Sequence, residues 1–299
     1  MNRSCLASVA VPLKDTGTEL VAEAGGVELL RYVHRPDMPV GEGRKPYFHP
    51  MRTLDGDVVT CYRPHDHRWH KGLQMTVSHL SGQNFWGGPS YVRERGGYVD
   101  LPNVGTMRHE EFDGPGRERL TWVTQGGLRL VDELREFSVH ETGDGAWALD
   151  FTTAMTNTRG EPLRFGSPTT HGRPMAGYSG LFWRGPRSFT GGRVIAGNGL
   201  DGPRTMGRTT TWLAYSGTHD EVDRSSTLLF LAEPGTVWFV RTEPFAAVNP
   251  SLAFHTEIVL PPGETLRRRY RVVVAIGAWD RDRLESYVAA HPLGRGDVP

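Results

Sequence analysis

The chain has 299 residues, 37% of them hydrophobic, and its 34 basic and 34 acidic residues cancel to a formal charge of zero. No run of like charge exceeds Arg267-Arg268-Arg269, so the basic stripe that nucleic acid or an anionic membrane requires is missing, and no stretch of about 18 apolar residues could span a bilayer. Two cysteines, Cys5 and Cys61, are too few for the disulfide framework of a small secreted domain, and the apolar stretch before Pro12 and Lys14 is too short for a signal core, so the expectation is a soluble, cytoplasmic protein.

Glycine (37 residues) and proline (21 residues) punctuate the chain, and the segments between them alternate with a period of two rather than 3.6. In chain order, 128–139, 147–155, 227–232, 236–241, 253–260 and 266–276 read as strands. In the second of these, Trp147, Leu149, Phe151 and Met155 share one parity while Asp150 and Thr152 take the other, the pattern of a half-buried strand. Glu-Pro-Gly at 233–235 and Pro-Pro-Gly-Glu at 261–264 are turns. One helix is predicted, 281–290, with Asp280 as N-cap and Leu284, Tyr287 and Val288 on its apolar face. The fold expected is all-β, a large antiparallel β-sandwich with a short C-terminal helix, in one domain covering 1–299. The long glycine-rich connections 82–97 and 185–203 are expected to wall a cleft.

The densest chemistry lies at Pro64-His65-Asp66-His67-Arg68-Trp69-His70-Lys71-Gly72, and six of the twelve histidines fall between His49 and His109. Imidazole ligates metals and moves protons near neutral pH. On a strand His65 and His67 share a face and His70 points away; on a helix His65 and His70 diverge. Only a strand end turning into a loop gathers all three. Three readings stay open. His65, His67 and His70 bind a divalent metal, the fourth ligand coming from His79, His109, His171 or His255; they hold a loop by hydrogen bonds to Asp66 and backbone; or they line a metal-free polar cleft in which one is a general acid or base.

Residues suited to sugars surround the cluster. Trp69, Trp86, Phe182 and Trp183 offer flat apolar faces, and Gln74, Asn84, Arg164 and Arg184 offer planar hydrogen-bonding groups. Trp86 lies among glycines and is the aromatic most expected at a surface. His171 sits in a second turn-rich stretch, and His255 and Glu257, two apart, would share a strand face as an acid/base pair. There is no Gly-x-Ser-x-Gly, phosphate loop, dinucleotide fingerprint or His-Glu-x-x-His, which argues against serine hydrolases, kinases and nicotinamide dehydrogenases.

The strings Lys45-Pro-Tyr-Phe-His-Pro-Met-Arg-Thr-Leu-Asp-Gly56, His65-Asp-His-Arg-Trp-His-Lys-Gly72, Gly82-Gln-Asn-Phe-Trp86 and Gly177-Tyr-Ser-Gly-Leu-Phe-Trp-Arg184 resemble the PmoA-like bacterial proteins, a domain of unknown function, over nearly the whole chain. That label names a methane oxygenase subunit embedded in the membrane, which a chain without an apolar span does not match. The resemblance implies similarity to galactose-mutarotase-like supersandwich proteins and a link with sugar catabolism, to which the Leu260-Pro-Pro-Gly-Glu-Thr265 ending also points. The catalytic His and Glu of aldose epimerases have no counterpart placed by motif.

The leading expectation is a carbohydrate-active enzyme (epimerase, lyase or hydrolase) acting on a small sugar or glycoside, with His65, His67, His70, His171 and His255 in the catalytic cleft. Trp69, Gln74, Asn84, Trp86, Arg164, Trp183 and Arg184 would bind substrate, an arginine stabilising developing oxyanion charge. The alternatives are a metal-dependent, cupin-like oxygenase or hydrolase, which lacks the glutamate that many cupins carry after His-x-His, and a noncatalytic sugar-binding protein.

Overall fold

A computed structural model describes residues 8–294; Cys5 lies outside them. Two large antiparallel sheets make up most of it. The nine-stranded sheet runs Thr106–Gly114, Arg117–Val123, Arg129–Gly143, Ala146–Asn157, Thr265–Ile276, Ser225–Ala232, Trp212–Thr218, Arg193–Ala196, with Val9–Val11 added beside Arg129–Gly143. The eight-stranded sheet runs Val237–Arg241, Ala247–Ser251, Gly180–Arg184, Leu73–Thr76, Tyr47–Met51, Val27–Val33, Glu19–Ala24, Leu13–Asp15. Two smaller sheets, Ile258–Leu260/Leu163–Gly166/His79–Leu80 and Ser90–Val92/Gly97–Val99, carry the margins.

The sheets face each other across one continuous apolar core. Alternation explains which side chains enter it. Trp147, Leu149, Phe151 and Met155 all point inward from Ala146–Asn157, as their shared parity predicts. Aromatic rings meet from the two sides: Phe48 on Phe151 with centroids 6.2 Å apart, and Trp183 on Tyr215 at 5.2 Å. The opposite parity, Ala146 and Ala148 with Leu229 and Val273, is covered by Trp279, Leu284 and Tyr287. That cover is the helix Arg281–Ala290, whose first turn is closed by the Asp280 carboxylate accepting from Arg283 N at 2.9 Å. The β-sandwich and its C-terminal helix are thus those expected from the alternation and the cap.

One strand is shorter than its pattern. Only Ile258–Leu260 of 253–260 is extended, and 252–256 bend back. Phe254 packs so closely on Gly177 that a Cβ there would sit 2.3 Å from its ring, and Ser167 Oγ donates to the Phe254 carbonyl at 3.2 Å. His255 and Glu257 are consequently not strand neighbours on one face.

Two imidazoles sit inside without solvent. His34 has both ring nitrogens unpartnered and His79 its Nε2. Burial, aided by the charge of His109 on His34 and of His171 on His79, pushes each down to about 4 from the ordinary 6.5. Both are neutral in the folded protein at pH 7, while the unfolded chain takes up their protons from about pH 6.5 downward. Stability from these groups is therefore complete above pH 6.5 and lost as pH falls toward 4. Urea unfolding is expected to show a falling midpoint across that window, with a shallower fall in His34→Phe; equal slopes in the two proteins would contradict it.

Candidate active site

The C-terminal helix covers the nine-stranded sheet and leaves the outer face of the eight-stranded sheet to other elements, and parity decides what that face presents. Along Gly180–Arg184, Leu181 and Trp183 point into the core, so Phe182 and Arg184 point out. Trp238 and Val240 likewise point in, leaving Phe239 and Arg241 outside. Loops around residues 66–70, 86–89, 173–178 and 244–245 rise about this face, and together they enclose a half-open cavity of about 390 Å³. Trp69, Trp86, Tyr178, Phe182, Phe239 and Phe245 form its apolar walls. His67, His70, Arg173 and Arg241 supply the ionisable groups, with Tyr98 at the margin, and the lining contains no aspartate or glutamate.

The two imidazoles are held in opposite tautomers. Asp66 Oδ2 lies 3.0 Å from Nδ1 of His67. Burial works against ionisation of Asp66, yet the His67 hydrogen bond and the Arg184 charge outweigh it and keep the carboxyl below its usual range. An ionised carboxylate only accepts, so His67 carries its proton on Nδ1 and turns a bare Nε2 outward. Arg184 Nη1 donates to Nδ1 of His70 at 3.0 Å. A guanidinium only donates, so His70 carries its proton on Nε2. The rings stack at 4.8 Å with an interplanar angle of 19°. Burial lowers the pKa of both, that of His70 strongly, and the Asp66 hydrogen bond only partly offsets it at His67. At neutral pH the cavity thus holds one imidazole with a bare nitrogen able to take a proton beside one that offers an N–H hydrogen-bond donor.

Several predicted residues position this pair rather than touch the cavity. Arg184 is 1% exposed and lies 3.8 Å above the Phe245 ring. Gln74 is buried and donates to the Trp69 carbonyl at 3.1 Å, its Oε1 unpartnered. Asn84 accepts from the backbone N–H of Trp86 and Gly87 and donates to the Gly88 carbonyl, shaping the loop that carries Trp86. Lys45, fully buried, donates to the carbonyls of Trp86 at 2.7 Å and Gly43 at 3.0 Å; burial and the Lys71 charge bring it down to about 7. The glycines here serve close approach rather than exposure. A Cβ on Gly88, at φ +64°, would meet the Trp69 ring at 2.6 Å, and one on Gly87 would meet the Glu42 carbonyl oxygen at 2.4 Å. Trp86 is accordingly 6% exposed, a wall rather than a surface residue.

Other predicted residues lie elsewhere. His65 turns away to accept from Arg187 at 2.8 Å. His171 stacks on His79 at 3.9 Å, with Nδ1 beside the Ser167 carbonyl and the Thr170 hydroxyl. His255 reaches the Gly207 carbonyl at 3.1 Å, and Arg164 pairs with Glu257 at 3.5 Å on the surface. Trp183 belongs to the core, its Nε1 donating to the Val59 carbonyl at 2.9 Å, because its parity is inward. Among the described residues no group of three His, Cys, Asp or Glu side chains is placed to hold a metal ion; His65 turns to Arg187 while His67 and His70 stack on each other. Of the two long connections, 82–97 contributes Trp86 and Pro89, while 185–203 contributes nothing to the lining. The wall residues that the sequence reading missed are Tyr98, Arg173, Tyr178, Phe239, Arg241 and Phe245. Phe239 and Arg241 share a parity on a predicted strand, and Arg173 and Tyr178 lie in the stretch singled out for His171.

Two larger depressions, about 560 and 610 Å³, lie elsewhere on the surface. Acidic and basic side chains in their linings pair with one another, as in Arg271 with Asp150 and Arg129 with Asp132. They offer no aromatic platform comparable to that around His67.

No curated protein matches the chain. Solved structures similar to it include the GH36 α-galactosidase AgaB of Geobacillus stearothermophilus, at 14% identity and TM-score 0.44, covering 96% of this chain and 44% of that one. A heparan sulfate lyase HepC mutant from Pedobacter heparinus is similar at 10% identity and TM-score 0.39, covering 90% and 37%. An α-galactosidase from Lactobacillus brevis is similar at 9% identity and TM-score 0.43, covering 97% and 42%. The chain spans less than half the length of each of these three. Over residues 19–289 it matches, and belongs to, a family of unknown function, DUF6807.

Proposed function

We propose that this DUF6807 chain is a carbohydrate-active enzyme that holds a sugar or glycoside in the aromatic cavity and moves a proton at it through His67, with His70 as a hydrogen-bond donor to the developing charge. The observation that carries the reading is the stacked pair of imidazoles in opposite tautomers, set among flat apolar walls. A cavity of about 390 Å³ falls within the range of small-molecule sites, roughly 300–1,000 Å³. The motifs behind the PmoA-like and galactose-mutarotase-like resemblance support it too. Lys45, His65–Gly72, Gly82–Trp86 and Gly177–Arg184 are the segments that build or brace the cavity.

In this reading a pyranose face lies against Trp69 or Trp86. His67 Nε2 takes a proton from an acidified ring carbon and becomes imidazolium, while His70 Nε2–H hydrogen-bonds the oxygen on which negative charge develops; the electron pair left behind either takes a proton from water on the opposite face or expels a neighbouring oxygen, to which the His67 imidazolium gives the proton. The first outcome is epimerisation, after which the His67 imidazolium releases its proton to solvent, and the second is elimination, in which that proton leaves on the expelled oxygen. Hydrolysis by paired carboxylates is less well served, because neither partner is present in the lining.

The test is incubation of the protein with a panel of sugars and methyl glycosides in D₂O, followed by NMR. Deuterium entering one ring carbon, or an unsaturated product, is expected, and both disappear in His67→Gln. A sugar that raises the melting temperature yet stays chemically unchanged would assign the cavity to binding alone.

A further inference from the structure

Two guanidiniums face the same cavity without an anion. Arg173, half-buried in the loop before Tyr178, lies over the Tyr98 ring at 4.9 Å and donates from Nη1 to the Tyr98 hydroxyl, which also meets that of Tyr178. Arg241, half-buried at the end of Val237–Arg241, lies 5.4 Å from the Phe239 ring centroid and makes no side-chain hydrogen bond among the described residues. Neither forms an ion pair with a carboxylate among the described residues, whereas Arg184 and Arg187 lie 3.8 and 3.5 Å from the Asp66 carboxylate. The groups acting on Arg241 include a second cation, Arg173, with the Tyr178 and Tyr98 hydroxyls, and Arg241 acts in turn on His67.

An aromatic face orients a guanidinium and softens its desolvation, but supplies no acceptor oxygen. Placing two such cations beside each other in a partly desolvated cavity, with no acidic residue in its lining, is unfavourable in the empty protein. The arrangement is reversed by a ligand that brings the missing oxygens. A guanidinium fork matches a planar carboxylate bidentately, and it matches sulfate and phosphate oxygens as well.

We infer that the sugar taken by this cavity is anionic, its oxyanion group held between Arg173 and Arg241 while its ring lies against the aromatic wall. This rests on the carbohydrate reading above and deepens it by naming the substrate class. Such a grip also suits the proton transfer proposed for His67: a carboxylate neutralised by two guanidiniums acidifies the hydrogen on the adjacent carbon, and the electron pair formed there is delocalised into the carboxyl group.

The experiment is calorimetric titration of the full chain with methyl β-D-glucuronide, methyl β-D-galacturonide, glucose 6-sulfate and glucose 6-phosphate, against methyl β-D-glucoside and methyl β-D-galactoside. At least one anionic probe is expected to bind tenfold or more tightly than its neutral match, with the advantage reduced by added NaCl. The four anions separate carboxylate from sulfate and phosphate as the group recognised. Arg241→Gln is expected to erase the preference, and Arg241→Lys to restore part of it; circular dichroism of each variant keeps the comparison to folded protein. Equal or tighter binding of the neutral sugars, or a preference that survives in Arg241→Gln, overturns the inference and leaves the carbohydrate reading standing. Binding of no probe in either class overturns both.

Discussion

Replacing His67 by glutamine is expected to lower kcat/KM on the identified sugar by about 10²–10⁴-fold, the range for loss of a general acid or base, with the melting temperature unchanged. The side chain is on a turn and one-third exposed, so its removal opens no core cavity. The pH profile gives an independent check. Burial holds the imidazole below its ordinary 6.5 despite Asp66, so the base form persists into mildly acidic solution. The acid limb of kcat/KM should therefore lie below pH 6.5, with activity lost as pH falls through that lowered value. In Asp66→Ala the lock on the His67 tautomer is gone, and kcat should fall more than KM rises. Full activity in His67→Gln, or an acid limb above pH 6.5, would remove His67 from its role.

The largest loss of stability is expected at Glu133, far from the cavity. Its carboxylate is buried in the core and accepts four donors: Arg135 Nε and Thr153 Oγ1 on Oε1, Arg135 Nη2 and Trp122 Nε1 on Oε2, all between 2.8 and 2.9 Å. Arg135 reaches onward to the Tyr32 hydroxyl at 2.9 Å, which donates to Glu118, itself 2.7 Å from His109 Nδ1. Tyr32 belongs to the opposite sheet, so the network ties the two layers together. Glu133→Ala strands the Arg135 charge and leaves two further donors without acceptors. A cost of about 3–5 kcal/mol is expected, read as a lower urea midpoint. Glu133→Gln keeps the shape but offers donors where donors already point, and should recover only part. A loss under about 1 kcal/mol in the alanine variant, the scale of an exposed pair, would show that the network carries little.

That network also marks where the sequence stops being legible. Alternation located the strand 128–139, yet Glu133 and Arg135 share the inward parity of Val131, Phe137 and Val139. Charges at inward positions look like solvent-facing residues until the partners from other strands are known. The helix was readable because Asp280 and the Leu284/Tyr287 stripe are local. His255 and Glu257 misled because the bend at 252–256 is imposed by Phe254 packing on Gly177, a contact between segments remote in sequence. At the site, the cluster 65–70 announced itself by composition, but which histidines enter the cavity depends on Asp66, Arg184 and Arg187. Two of those partners lie more than a hundred residues away. Trp183 illustrates the same limit in one residue: Phe182 beside it faces the cavity, and only strand register separates the two.

Arg184 touches Asp66 and His70 of one loop and Phe245 of another from a position on the sheet beneath them. The two loops therefore cannot drift independently in evolution. A different side chain at 245 would uncover the guanidinium that fixes the His70 proton. Positions 66, 70, 184 and 245 should therefore change together or not at all.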